Sequence, residues 1–372
     1  MPRKKRWQGK FHPMLRHIEQ MANEMTARGQ EPRKHHLVPR FYLQRWAEND
    51  KVRATELDSK RTFTPSPQNA ARRTDFYRLE EGTYQWGSPV AWEAFLSVIE
   101  GRVSTTTEAL VTRSAGLRDL STEELQELMW FLALQFTRGM NFRRSLLWML
   151  VQQHVVHYES SGDDSLKRVL SEGGYETTEE NVTRMRQQLA EMRTNPTRLP
   201  MLTALKVKHS ADSAANVYPH LASRLPVIYH TPRQLVTCDE PVIAIDEDMG
   251  SRDGEFGIGN APIIVYPLAP DVVLALFRRD FPIVLSHYEP LTHSELLALN
   301  QSILGNTYLH GFELPSRHLT TQLYVPPLAQ PGERIVVARR PNGEEVHKLT
   351  PGRRRWRGQP QAPRRPVQRW WP

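Results

Sequence analysis

Apolar residues recur at helical spacing through the middle of the chain and at strand spacing after it, which predicts a layered α+β fold. Between residues 89 and 193 the helical period dominates. AWEAFLSVIEGRVSTTTEALVT places Trp92, Phe95, Ile99 and Leu110 close to one stripe. The next helix opens on STEEL, where Ser121 and Glu124 have the spacing of a capping box. It runs on through LMWFLALQFTRGMNFRRSLLWMLVQQHVVHY with a bend expected at Gly139. A third helix is predicted over residues 181–193, after a polar, glycine-containing stretch that reads as a surface excursion. Beyond Pro200 the pieces RLPVIYH, QLVTCDEPVIAI, APIIVYPL and VVLALFRR are short, β-branched and separated by turn residues. The first two, joined around TPRQ, predict a hairpin. THSELLALNQSILGNTYLH closes the pattern as a helix capped by Thr292 or Ser294. The expected architecture is a central helical layer packed on a small, mostly antiparallel sheet.

The flanks are less regular. One helix is expected over residues 11–28, with Met14, Leu15, Ile18 and Met21 on one face, before Gly29 and Pro32 end it. HHLVPRFYLQRW then reads as the first structured element, Phe41, Tyr42 and Trp46 anchoring a short helix after Pro39. Residues 52–79 alternate the β-prone RATELD and RRTDFYRL with the turn-rich TPSPQN. The last stretch, PGRRRWRGQPQAPRRPVQRWWP, has the composition of a disordered arm. The chain therefore divides into a basic arm with one helix (1–34), a single α+β body (35–350) and a disordered Arg/Trp-rich tail (351–372).

Charge sharpens that division. Of the net +8, residues 1–34 carry +6 and residues 351–372 carry +7, so residues 35–350 stand at −5. The basicity belongs to the arms. In the tail, Arg353, Arg354, Arg355 and Arg357, interleaved with Trp356, suit phosphate contact with indole stacking on bases; a solvated tail is the alternative. Nucleic acid is the partner such arms would hold. Cys238 is the only cysteine among 372 residues, which rules out an intramolecular disulfide and a Cys-based zinc cluster. No run approaches the roughly 18 apolar residues that span a bilayer, and MPRKKRWQGKFHPM lacks a secretory apolar segment, so a cytoplasmic protein is expected. No Walker loop, GxGxxG or GxSxG motif is present.

Four landmarks occur in order: HHLVPRFYL, the helical QFTR, the strand-end TCDEPV and the late helical LALNQSIL. Together they resemble the bacterial family called domain of unknown function 4238 (DUF4238), over about residues 35–312. That family has a His-His-x-x-Pro-x-Phe/Tyr opening, a Gln-x-x-Arg in its central helices, a Ser-Asp-x-Pro-Val at a strand end and an Asn in a closing helix. Cys238 stands where Ser is usual and Glu240 where Asn is usual. The resemblance implies a boundary and a set of candidate residues, and no reaction.

His35 and His36 point to different faces in either regular structure, so they do not form a simple metal-binding pair. His36 suits a base or ligand, with His35 in support; packing at the edge of the fold is the alternative. Gln135 and Arg138 lie three apart on an apolar helix face, where an inward guanidinium needs a carboxylate or phosphate. Asp239, ending a strand before Pro241, is the expected partner, either as a catalytic carboxylate or as a structural ion pair. Glu100 is a further candidate carboxylate, and Asn300 reads as a buried amide. His154 and His157 stand i, i+3 without a third ligand, and HHLVP is weakly similar to the opening of HNH nucleases. Two readings stay open. One is a hydrolase, a phosphodiesterase or nuclease with a His/Arg/Asp site and room for a divalent metal. The other is a binding or interaction module in which those residues form a structural polar network.

Overall fold

The computed structural model describes residues 20, 23–29, 33–78, 90–113, 116–143, 162–172, 174–192, 202–250, 257–281, 290–328, 334–339, 345–349 and 355–371. The fold is α+β. In chain order its elements are β1 (Lys34–His36), α1 (Arg40–Leu43), β2 (Arg53–Glu56), β3 (Thr62–Phe63), β4 (Arg72–Thr74), α2 (Ala91–Val111), α3 (Thr122–Thr137), α4 (Asp163–Glu172), α5 (Glu179–Met192), α6 (Leu202–Ala222), β5 (Leu225–His230), β6 (Thr237–Cys238), β7 (Ile243–Ile245), β8 (Ile263–Ala269), β9 (Val272–Phe277), α7 (His293–Gly305), β10 (His310–Glu313), α8 (Leu319–Gln322), β11 (Arg334–Arg339) and β12 (Glu345–Leu349). They build two compact units, residues 1–35, 73–101 and 149–209 in one, residues 36–72, 102–148 and 210–372 in the other.

In the first unit the stretch expected as a polar excursion contains α4. Its Leu166, Val169 and Leu170 are buried at i, i+3, i+4 spacing, while acidic residues and lysine or arginine face out. Lys167–Glu179 (3.2 Å) and Arg186–Asp163 (2.5 Å) ion pairs join it to α5. The apolar stripe was hidden because only three residues carry it. Of the N-terminal helix, residues 23–27 are helical and Met25 packs on Val90, Ala91 and Ala94; most of residues 11–22 lie outside the described set.

The second unit holds two four-stranded antiparallel sheets, in the orders β3-β2-β10-β6 and β5-β9-β8-β7. Every residue of β8 and β9 is buried, because that sheet is covered on both faces. One face packs against Leu296, Leu299, Ile303 and Leu304 of α7. On the other, Tyr266 meets Tyr42 of α1 (5.1 Å between ring centroids) and Phe131 of α3 (6.1 Å). The expected hairpin of RLPVIYH with QLVTCDEPVIAI does not form. β5 pairs with β9, β6 with β10 and β7 with β8, since the TPRQ segment turns back onto the β8–β9 turn, Leu235 N–H donating to the Pro270 carbonyl at 2.8 Å. α6 is a second correction. It carries Pro219 in its last turn, and its small, polar composition shows no clear stripe.

The capping box at Ser121–Glu124 is formed, and Thr292–Glu295 repeats it at the start of α7. The expected bend comes where α3 stops at Thr137, Arg138 acting as its C-cap. The tail is the largest correction. In residues 355–371, Arg355, Trp356, Val367, Trp370 and Trp371 are buried in the second unit, so this segment is ordered and its indoles are packed inside. Its tryptophans outweigh the Pro/Arg-rich composition, because each buries about 150–250 Å² of ring surface.

Candidate functional site

The opening motif and the central helix meet in the second unit. After β1 the chain turns at Pro39 into the single turn of α1, and Tyr42 and Trp46 fix that turn to the sheet. Tyr42 shares a 2.6 Å hydrogen bond with the Thr237 hydroxyl, and Trp46 Nε1 donates to the Leu235 carbonyl at 3.2 Å. The Leu37 carbonyl, one residue past His36, accepts from Gln135 Nε2 at 3.1 Å. Gln135 Oε1 in turn accepts from Arg138 Nη2. Both side chains are about 1% exposed, so Gln135 is a buried clamp between the motif's backbone and the guanidinium that ends α3.

The two histidines have separate jobs. His35 is fully buried, stacks on Tyr77 with centroids 5.5 Å apart, and accepts the Tyr77 backbone N–H at Nδ1 (2.7 Å). That contact lies within the first unit and makes His35 a packing residue. His36 is half-buried, and its Nε2–H donates to the Gln68 carbonyl at 3.0 Å. A carbonyl can only accept, so the neutral ring must carry its proton on Nε2, leaving Nδ1 as an acceptor. Burial drives the His36 pKa down to about 4; the bond to Gln68 opposes this, and the charges of Arg72, Arg138 and Arg40 add to it. His36 is therefore a neutral, oriented imidazole in a positive field.

Asp239 does not join them. It is buried, and its two oxygens accept the backbone N–H groups of Tyr308 (2.9 Å), Leu309 (2.7 Å) and His310 (3.1 Å). The expected ion pair with Arg138 is absent, because these three donors satisfy the carboxylate from the turn that leads into β10. Burial raises its pKa and the three bonds oppose the rise. Glu240, the departure from the family pattern, accepts the Asn141 N–H and fills the space over Gly139, where a Cβ would come within 2.8 Å of its carboxyl carbon. Asn306 Nδ2 closes this corner on the Glu240 carbonyl at 2.6 Å. Cys238 is buried, and burial with the neighbouring Asp239 pushes its thiol well up, so it stays a packed, protonated side chain.

Asn300 is fully buried and serves the sheet: its Oδ1 accepts from Val236 N–H (3.0 Å) and its Nδ2 donates to the Gln234 carbonyl (2.8 Å). Glu100 belongs to the first unit, half-buried on α2. Arg355, expected to hold phosphate, donates instead to the carbonyls of Thr307 (2.9 Å), Tyr308 (3.0 Å) and Pro326 (2.9 Å) and to Asp58. Trp356 is buried and Arg357 half-buried; Arg353, Arg354, His154 and His157 lie outside the described residues. Among the described residues no three His, Cys, Asp or Glu side chains gather as a metal site. Sequence reasoning missed Arg40 and Arg72. Arg40 follows His36 by four residues, and Arg72 lies on β4, the partner of β1, a pairing that no local pattern announces.

A family model described as a protein of unknown function (DUF4238) matches residues 34–311. Neither a curated protein nor a solved structure matches the chain. No helix among the described residues is long and apolar enough to cross a membrane.

Proposed function

The chain belongs to the DUF4238 family, and from that premise we propose that its working centre is His36 with the surrounding arginines, binding a phosphate-type anion and hydrolysing an ester of it. The observation that supports this reading is the His36 ring itself: Nε2–H is fixed on the Gln68 carbonyl, Nδ1 is left as a proton acceptor, and three guanidinium groups bear on it. Those charges attract an anion, and they add to the burial that keeps the imidazole neutral. A bound phosphate supplies opposite charge and raises the His36 pKa towards neutrality, so the base strengthens when its substrate arrives. Arg138, held by Gln135, adds to the field that would stabilise charge developing on the ester. A phosphodiester of nucleic acid fits this chemistry, with the +6 of residues 1–34 as a source of attraction. Asp239 has no part in the reaction.

The second reading is a binding module with no reaction. It draws on Gln135, Asp239 and Asn300, each of which commits its hydrogen bonds to backbone groups and so behaves as framework. One experiment separates the two. Wild type and His36→Ala are assayed against a chromogenic phosphodiester and single-stranded DNA, and phosphate binding is followed by the His36 imidazole resonance. Hydrolysis lost in His36→Ala supports the enzyme. Phosphate binding without hydrolysis leaves the binding module, and neither binding nor hydrolysis by a folded protein sinks both.

A further inference from the structure

The segment 355–371 holds to the second unit in an unusual way. It contains one short 3-10 turn, Gln368–Trp370, and its strand-like contact is a single bridge between Asp248 and Arg364. Its attachment is by side chains in sockets, and arginine sockets alternate with indole sockets. Arg355 enters a cradle of three backbone carbonyls beside Asp58. Trp356 lies over Gly305 at the end of α7, its Nε1 donating to the Gln301 carbonyl at 3.1 Å. A Cβ at position 305 would collide with the indole Cδ1 and Nε1. Arg365 makes two bonds to Glu247 (2.8 and 2.5 Å), and Arg369 makes two to Glu295 (2.9 and 2.5 Å). Trp370 packs on Tyr229 and Phe277, with centroids 5.2 and 5.6 Å away, and Trp371 on Phe281 at 5.3 Å.

We propose that this surface of the second unit is a recognition groove for an Arg-Trp peptide, filled here in cis by the chain's own C-terminal segment. Three observations carry it. The segment lies beyond residues 34–311, the part that the family pattern describes, so the groove's occupant is not part of that pattern. Binding through spaced side-chain sockets, with few backbone ladders, is how an extended peptide is read by a preformed surface. The charges also match: the segment brings five arginines and no acid, and Asp58, Asp248, Glu247 and Glu295 on the groove face four of them. Docking has a structural consequence. Arg355 takes the Thr307 and Tyr308 carbonyls, while Asp239 takes the N–H groups of residues 308–310, so the turn before β10 is gripped from both sides.

Gly305→Ala tests the groove in the full chain. Alanine is a better helix residue than glycine, so a loss here reports the collision with Trp356 and not the helix. Hydrogen exchange should rise at least tenfold across residues 355–371 and in the 307–310 turn, with β8 and β9 still protected. Loss of protection throughout would mean the segment is ordinary core and would overturn the proposal. In a second measurement the chain is co-expressed as two pieces, 1–354 and 355–372, with a tag on the shorter. Capture of the longer piece, and its release in folded form by excess untagged peptide, is the expected result. Release only on unfolding, or no capture with a folded 1–354 piece in the lysate, would overturn the groove.

Discussion

Removing the Asp239 carboxylate is expected to loosen one turn and to cost the whole protein stability. In the native chain two oxygens hold three successive backbone N–H groups at 2.7 to 3.1 Å in a buried site. Each N–H left without a partner costs roughly 1–3 kcal/mol. Taking the low end for each, since the turn relaxes and admits water, Asp239→Ala should lose about 3 kcal/mol. Part of the cost is offset because burial disfavours the ionised carboxylate, as its raised pKa records. Equilibrium urea denaturation followed by far-UV circular dichroism gives the difference, and amide exchange at Tyr308, Leu309 and His310 locates it. The pH dependence has a definite sign. A carboxyl whose folded pKa is raised above 3.8 binds its proton first in the folded state, so its contribution to stability increases as pH falls through that interval. The gap between wild type and Asp239→Ala should therefore widen on acidification. A loss under about 1 kcal/mol, or unchanged exchange at the three amides, would refute the clamp.

His36 should titrate near pH 4 by NMR, against an ordinary value of 6.5; its contribution to stability is complete above pH 6.5 and is lost as pH falls towards 4, and a measured value at the ordinary one would refute the buried imidazole in a positive field. Gln135→Leu leaves the Leu37 carbonyl and the Arg138 guanidinium short of a partner, and should cost about 2–4 kcal/mol in chemical denaturation, with a near-neutral result counting against the buried clamp. Ser121→Ala should cost about 1 kcal/mol, because a complete capping box starts α3; equal melting temperatures would show that the box contributes nothing there.

The elements that sequence periodicity foretold are those whose partners are local. Helix α2, the capping box at Ser121, the N-cap at Thr292, and the apolar strands β8 and β9 each follow from spacing or cap chemistry within a few residues. The failures have non-local causes. RLPVIYH and QLVTCDEPVIAI are adjacent in sequence, yet β5 finds β9 and β6 finds β10, between 42 and 75 residues away. α6 was obscured by Pro219 and a weak apolar stripe. The tail misled because composition counts its prolines and arginines, while its placement depends on whether a surface elsewhere has sockets for Trp356 and Trp370. Gly305 is such a socket, and nothing near residue 356 in the sequence points to it.

For the candidate site, residue type identified which side chains are buried and polar, but not what they bind. Gln135, Arg138, Asp239 and Asn300 are all buried, as an inward polar residue on an apolar face must be when it has partners. The expectation that Arg138 meets Asp239 assumed that opposite charges inside a fold find each other. The structure gives the guanidinium an amide oxygen of Gln135 and the carboxylate three backbone N–H groups. For Asp239 that route avoids desolvating two ions against one another, which is where buried ion pairs lose most of their gain. The same logic separates the adjacent histidines. His35 has its acceptor nitrogen filled by a backbone N–H and is fully buried, whereas His36 has its donor nitrogen filled and keeps an acceptor beside cationic neighbours. Of the polar residues that the motifs single out, His36 is thus the one whose chemistry the fold has oriented without using it up.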